Sequence, residues 1–500
     1  MITEQLTRKT AQLAQRLQDL GTVFCLDMET ALAPLCFQPR QARLLQLHND
    51  KDSFWVDLLE CGPAEWAVLK TVLEAPELEI YGQNLVFDVR VLLANGIHVQ
   101  GQLYDTLVAS NLLYNGMANM RHGLGEIAKR ELGVELDKSL QAQNWMEAEL
   151  NEADLAYAMG DVRVTWDAAH VLHEKIAAQG LYDVYRLECA LIPAVVSMEH
   201  YGVPLDGFAI QETIEHYTSE SAAAKDCFLE TLDGRLQDAG VPALPRDDDG
   251  SFNTRTKATG SVRLGTKRLP GFNVNSSQQV LAWWRFLGIE PVDDTGKASL
   301  DKKVLARYQS DELVRMYLHY KRVDRRLGMA QKLVEHCNED GRLRARFQPL
   351  ATGTGRFASS SPNLQQIPRD PEFRCAIKPP SGRVLVQADY AAMELRVAAA
   401  IAGEQRMIDA FNQGADIHTR TAALMFGIEE AQVDKVRRQQ SKAVSFGALY
   451  GSGAKGLQQY CATVGQFLTE TKARDLLRLW HGAYPAFGRW HEQCQERAAQ

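Results

Sequence analysis

Asp27 and Glu29 stand two residues apart at the end of Thr22–Glu29, TVFCLDME, a short apolar run of the kind that forms a buried strand. In an extended chain the side-chain period is two, so both carboxylates leave the same face. Like charges about 5–7 Å apart repel unless a cation lies between them, so the pair suits a divalent metal ion. Taken alone, a DxE pair reads first as a solvated strand end. Two further places add acids. In Asn84-Leu85-Val86-Phe87-Asp88 an Asp sits among apolar residues that open a helix. In Tyr157-Ala158-Met159-Gly160-Asp161 a phenol and a carboxylate four residues apart share one helical face. Asp105, in Tyr104-Asp105-Thr106, reads as a helix N-cap before it reads as a supporting acid.

A second constellation lies in the last third. Arg383–Asp389, RVLVQAD, alternates like a strand and ends in a carboxylate placed well for metal. Some fifty residues on, Arg438, Lys442, Phe446 and Tyr450 recur every four positions. At about 100° per residue each step drifts about 40°, so the four side chains form one helical stripe, cationic at one end and aromatic at the other. Such a stripe fits a nucleoside triphosphate, with Arg438 and Lys442 on the phosphates, Phe446 against the sugar and Tyr450 near the base. An amphipathic surface helix with snorkelling cations is the other reading of the stripe by itself.

The set Asp27, Glu29, Asp88, Tyr157 and Asp161, in that order, with the intervening run Leu132-Gly133-Val134-Glu135-Leu136-Asp137-Lys138 and with Gln141 and Trp145, resembles the proofreading 3′ to 5′ exonuclease domains of the DEDD type, in the subclass with a tyrosine. The resemblance implies a ribonuclease H-like exonuclease domain over 1–180. It also implies phosphodiester hydrolysis with two divalent ions, Mg²⁺ or Mn²⁺, held by Asp27, Glu29, Asp88 and Asp161, one ion activating water and the other stabilising the leaving oxygen. A phenol with a reference pKa of about 10 is a poor base at neutral pH, so Tyr157 orients the attacking water.

Thr354-Gly355-Arg356-Phe357, then Ser361-Pro362-Asn363-Leu364-Gln365-Gln366-Ile367-Pro368, Asp389-Tyr390 with Glu394-Leu395-Arg396, Asp416-Ile417-His418 and the stripe follow one another in one order. From about residue 185 onward this is similar to the family A DNA polymerases, the DNA polymerase I group. The resemblance implies an α/β multidomain chain in which the exonuclease domain is followed by a helical thumb over 181–345, a partial palm over 346–402 and fingers over 403–500. Asp389 matches the first metal-binding aspartate, again with two ions at that site, and Glu394 the gate against a ribose 2′-hydroxyl. Arg438, Lys442 and His418 match contacts to the triphosphate. Phe446 and Tyr450 match the positions that meet the sugar and the template-side base. Arg356 matches the contact to the primer minor groove, with Asn363 and Gln365 near the bound duplex. The partners implied are a DNA primer-template and dNTPs. The thumb, from Asn273 to Leu327, carries Arg315, Lys321, Arg322, Arg325 and Arg326 toward DNA phosphates. Residues 245–271, PRDDDGSFNTRTKATGSVRLGTKRLPG, read as a long exposed loop inserted in it.

This sequence departs from the family in three places. Ala391-Ala392 stands where Ser-Gln is common, and Ser445 where an Asn is usual. The family's second metal-binding aspartate lies in a His-Asp-Glu triplet, and no such triplet occurs in these 500 residues. The expectation is a truncated chain, or half of a split enzyme whose palm is completed by a missing C-terminal segment or a second chain. The function this implies is template-directed DNA synthesis with 3′ to 5′ proofreading, in a chain that without the second palm aspartate should polymerise poorly or not at all, and the alternative is a 3′ to 5′ exonuclease with a DNA-binding remnant.

Length and composition bound all of this. Five hundred residues, 45% apolar and 24% charged, predict several soluble globular domains. Lys and Arg total 55 against 63 Asp and Glu, a net charge of −8, so nucleic acid must meet a local basic patch. Nine dispersed cysteines without a CxxC pair suggest reduced thiols. A polar start and the lack of an apolar run of about 18–20 residues predict a cytoplasmic protein with no membrane partner. A monomer is expected.

Overall fold

A computed structural model describes residues 10–32, 38–39, 41–117, 119–147, 149–240, 244, 246, 250–252, 261–264, 267–270, 273–293, 295–463, 466 and 468–499. The chain folds as two compact units, Met1–Asn273 with Asp311–Val384, and Val274–Ser310 with Leu385–Gln500.

The first unit is built on a five-stranded sheet of order β3-β2-β1-β4-β5, comprising β1 (Val23–Thr30), β2 (Ala42–His48), β3 (Ser53–Asp57), β4 (Glu79–Gly82) and β5 (Gln102–Asp105). β1 pairs antiparallel with β2, Asp27 opposite Gln46, and parallel with β4, Cys25 opposite Tyr81. β4 and β5 are also parallel, Gly82 opposite Asp105. Helices α1 (Leu85–Ala94), α2 (Thr106–Tyr114) and α3 (Glu152–Ala178) bury Leu85, Val89, Val91, Leu92, Val108, Leu113, Val162 and Leu172 in one core with Phe24, Leu26, Leu44, Leu45 and Ile80 of the sheet. Because β1, β4 and β5 run the same way, their C-terminal ends share one edge, where α/β sheets place their sites. Asp27 and Glu29 end β1, the turn after β4 leads into α1, and Asp105 ends β5. The β4–α1 turn requires its glycine: a Cβ on Gly82 would lie 2.3 Å from Leu85 Cδ2 and 3.1 Å from the Leu26 carbonyl oxygen.

Farther along this unit come α4 (Ile192–Tyr201), α5 (Gly207–Asp238) and α6 (Glu312–Glu335). The end of α5 meets the start of α6 through Arg235 and Asp311 at 3.0 Å, with Phe228 against Tyr317 at 5.4 Å between ring centres, so the two long helices run antiparallel. Arg315, Arg322 and Arg325 are exposed on α6, while Arg326 is taken by Asp370 at 2.7 Å. Strands β6 (Arg346–Gln348) and β7 (Ala358–Ser360) form a small hairpin.

The second unit contains α7 (Met393–Ala402), α8 (Ile417–Phe426), α9 (Lys435–Leu449) and α10 (Glu470–Ala483), packed around Val444, Leu457, Trp480, Tyr484 and Phe487. Ser445, at the position where an Asn was the family's habit, is fully buried. It donates to the Ser441 carbonyl at 2.7 Å and accepts from Trp480 Nε1 at 3.2 Å, which ties α9 to α10.

Two expectations from sequence are corrected. Arg383–Asp389 is not a strand: no ladder partner flanks it among the described residues, and Val384 and Val386 stand 81% and 87% exposed. Alternation alone does not make a strand when nothing closes its hydrogen bonds. The segment 245–271 is not simply a loop. Ser261–Leu264 pairs antiparallel with Lys267–Pro270, two short runs separated by the two residues a hairpin takes. The remainder of that segment falls mostly outside the described residues.

Candidate active site

Three elements deliver the acids of the first cluster. β1 carries Asp27 and Glu29, α1 carries Asp88 in its first turn, and α3 carries Tyr157 and Asp161 one turn apart. All five line one cleft of about 970 Å³, together with Asp105 and Lys138. The N-terminus of α1 is set by Asp105: its carboxylate accepts the amides of Asn84 at 2.9 Å and Leu85 at 2.7 Å, and that of Leu107 at 2.8 Å on its own helix α2. The expected N-cap is therefore real, and it holds two helices rather than one.

The electrostatics follow from packing acids where water is scarce. Burial, then the charge of Asp161, pushes Asp27 up to about 7, with Lys138 acting in the opposite sense. Burial and the charges of Asp27 and Asp161 push Glu29 up to about 9. Asp88, 2% exposed, is also raised by burial and by Asp27, and its Oδ1 has no hydrogen-bond partner among the described residues. Tyr157 rises above its ordinary phenol value through burial and the charge of Asp161. Trp145 packs against it, 6.2 Å between ring centres.

These donors fit hard divalent cations: four carboxylates on one cleft, two of them on one strand face, and one buried carboxylate oxygen without a partner. As the side chains stand, no three His, Cys, Asp or Glu among the described residues close on a single metal position. Asp161 is instead engaged by the Lys138 ammonium, at 2.8 and 3.1 Å.

The expected stripe lies on α9, with Tyr450 as the C-cap residue. Arg438 Nε donates to Asp416 Oδ2 at 2.6 Å. Lys442 is exposed. The Phe446 ring lies 6.4 Å from that of His418, whose buried Nδ1 has no hydrogen-bond partner among the described residues. Burial and the charge of Lys442 lower the His418 pKa. The Tyr450 hydroxyl donates to Glu394 Oε2 at 2.8 Å, joining the end of α9 to the first turn of α7. Asp389 belongs to the same unit, on an exposed segment, and takes no part in these contacts. Arg356, Asn363 and Gln365 belong to the first unit. There the Gln365 amide donates to Asn363 Oδ1 at 3.1 Å, and its side chain donates to the Phe357 carbonyl at 3.1 Å.

Family comparison decides what the two sites belong to. The model for 3′-5′ exonuclease matches residues 3–177, and that for DNA polymerase family A matches residues 257–500. A region that matches the 3′-5′ exonuclease model is thus followed, in the same polypeptide, by one that matches DNA polymerase family A. DNA polymerase I of Aquifex aeolicus is 28% identical over 473 residues, covering 91% of this chain and 74% of that protein. DNA polymerase I of Pseudomonas aeruginosa is 26% identical over 99% of this chain and 50% of its own length. The thermostable DNA polymerase I of Thermus aquaticus is 35% identical over 46% of this chain and 28% of its own length. The chain thus spans about half or less of two of these relatives. The POL domain of Pol1 from M. smegmatis, solved in complex with DNA primer-template and dNTP, has the same fold: TM-score 0.75 and 20% identity over 99% of this chain and 79% of that one.

Three positioning residues escaped the sequence reading. Lys138 was part of a family-like run without an assigned role. Arg90, two residues after Asp88, pairs with Glu199 of α4 at 2.7 Å, both side chains 5% exposed, and Glu199 Oε1 also accepts the Phe347 amide of β6 at 2.6 Å. An arginine inside the apolar helix LVFDVRVLLA was the available signal, since a buried guanidinium demands an acid. Its partner, 109 residues away, left none.

Proposed function

We propose that this chain takes part in template-directed DNA synthesis, transferring nucleotides from dNTPs to a primer 3′-hydroxyl, and removes mispaired 3′ ends by hydrolysis at the first cluster. The observation that carries the nuclease half is the convergence of Asp27, Glu29, Asp88, Tyr157 and Asp161 on one cleft at the C-terminal edge of the parallel strands.

Asp27, Glu29, Asp88 and Asp161 would hold two divalent ions, which supply when bound an activated water and charge neutralisation at the phosphate. The chain's own residues do the rest. Tyr157 stays protonated across the neutral range because its pKa is raised, so its hydroxyl holds the attacking water by hydrogen bond and does not remove its proton. Asp105 keeps α1 in place, and with it Asp88. In the polymerase unit, Arg438, Lys442 and His418 would meet a triphosphate and Phe446 its sugar. Glu394, held by Tyr450, would close the space a 2′-hydroxyl needs. Asp389 would hold metal at the joining site, and Arg356, Asn363 and Gln365 would touch the duplex.

A 5′-labelled primer-template with Mg²⁺ separates the activities. Shortening without dNTPs and lengthening with them is the expected result. Shortening alone reduces the function to the nuclease, and a stable complex with neither product removes both assignments.

A further inference from the structure

We propose that Lys138 is a tethered counter-cation that competes with divalent metal for Asp161, so that metal uptake releases the segment carrying Lys138 from the cleft. This rests on the nuclease reading above and adds to it a residue that sets metal affinity and the position of the adjoining wall.

The geometry is that of an occupied cation position. Lys138 Nζ bridges both oxygens of Asp161, at 2.8 and 3.1 Å, and lies 5.8 Å from the centre of the Tyr157 ring. The side chains are 29% and 13% exposed, so the pair is sheltered from water and salt more than a surface pair is. An ammonium with three donors fills the same carboxylate oxygens a metal ion would take, and one oxygen pair cannot serve both at full strength. Metal binding at Asp161 is therefore an exchange: a carboxylate–ammonium bond breaks, a carboxylate–metal contact forms, and the ammonium returns to water or to a phosphate.

Lys138 is carried by an irregular stretch. Residues 133–138 form no helix or strand, and turns follow from 139. Local backbone ties there are sparse, Gln141 N to the Lys138 carbonyl at 3.3 Å and Gln143 N to Leu140 at 3.0 Å among them. Trp145, 2% exposed beside Tyr157, anchors the far end. Glu135 is held by Lys129 at 2.7 Å and Leu140 packs on the core, so Lys138 ties down the stretch between them, and releasing it loosens residues 136–139 without unseating Trp145.

The test titrates Mn²⁺ calorimetrically, at low ionic strength, into the full chain and its Lys138→Gln, Lys138→Arg and Asp161→Ala variants. Amide hydrogen exchange over residues 136–139 is followed with and without Mn²⁺. Loss of one binding event in Asp161→Ala identifies the site. Lys138→Gln is expected to bind Mn²⁺ there roughly three- to tenfold more tightly, as for losing a partly sheltered ion pair, and Lys138→Arg to match the wild type. Exchange over 136–139 should quicken with Mn²⁺ in the wild type, and be fast and indifferent to Mn²⁺ in Lys138→Gln. Equal or weaker binding by Lys138→Gln overturns the competition, and unchanged wild-type exchange overturns the release. The exchange measurement on the wild type decides alone should Lys138→Gln fail to fold. Identical isotherms for wild type and Asp161→Ala would instead sink the metal site itself, and the nuclease reading with it.

Discussion

Arg90 and Glu199 meet at 2.7 Å with both side chains 5% exposed, and through them the helix bearing Asp88 is fastened to α4 and to the β6 strand. Removing one member leaves the other charged and buried, which costs about 3–5 kcal/mol. Glu199→Ala is therefore expected to lower unfolding free energy by about that much in urea denaturation at pH 7. The double variant Arg90→Met, Glu199→Leu should recover most of the loss, because it leaves no orphan charge. A double variant as unstable as the single one would show that the pair does more than neutralise itself.

The nuclease assignments separate by role. Asp161→Ala removes a proposed metal ligand, and shortening of a labelled primer should fall at least roughly 100-fold while any lengthening is untouched. Tyr157→Phe keeps the packing against Trp145 and loses only the hydroxyl. A fall of roughly 10- to 100-fold is expected, with no change in the shape of the pH profile up to pH 9, because the phenol does not titrate there. A profile that loses a limb in the variant would make Tyr157 a base after all.

How far the sequence reached depended on the range of the interaction. Period two placed Asp27 and Glu29 together, and the four-residue spacing placed Tyr157 with Asp161 and built the α9 stripe, because backbone geometry alone decides such neighbours. Contacts made by folding were out of reach. Lys138 meets Asp161 across 23 residues and Arg90 meets Glu199 across 109, and nothing local encodes either. Arg383–Asp389 failed for the converse reason: its local pattern was right for a strand, but a strand is a property of the pair and not of the segment.

Asp105 offers a test of positioning at a distance from the reacting atoms. Its carboxylate accepts from Asn84, Leu85 and Leu107, so Asp105→Ala uncaps α1 and α2 together. Each lost cap costs about 0.5–2 kcal/mol. The unfolding midpoint should drop accordingly, and shortening activity should fall with it as Asp88 loses its place. Asp105→Asn keeps an Oδ1 for the Asn84 and Leu107 amides but turns a donor toward the Leu85 amide that Oδ2 accepts, so its stability should fall between those of the wild type and Asp105→Ala. If Asp105→Ala were as active as the wild type, α1 would need no such anchor.

Asp416 gives the pH dependence its clearest sign. Burial works to raise its pKa, yet the hydrogen bonds from Arg438, Thr419 and the His418 amide, with the Arg438 charge, outweigh it and bring it down to about 2. A carboxylate depressed in the folded state contributes stability that is complete above its unfolded value of about 3.9 and is lost as pH falls toward 2. Asp416→Asn keeps the Oδ1 that caps α8 and removes the charge together with the oxygen that Arg438 and Thr419 bond, so it reports the contribution of the charged group and its side-chain partners apart from the cap. Wild type and variant should differ by a constant amount between pH 5 and 7 and converge below pH 4. With Asp416 and Arg438 43% and 42% exposed, solvent screening holds the difference to about 1 kcal/mol or less, and it should shrink further in high salt. Urea midpoints at pH 6 and pH 2 decide the matter, with about half of the gap still present at pH 3. A gap that persists in full at pH 2 would assign the effect to the cap, and a gap that widens there would reverse the sign of the ion pair altogether.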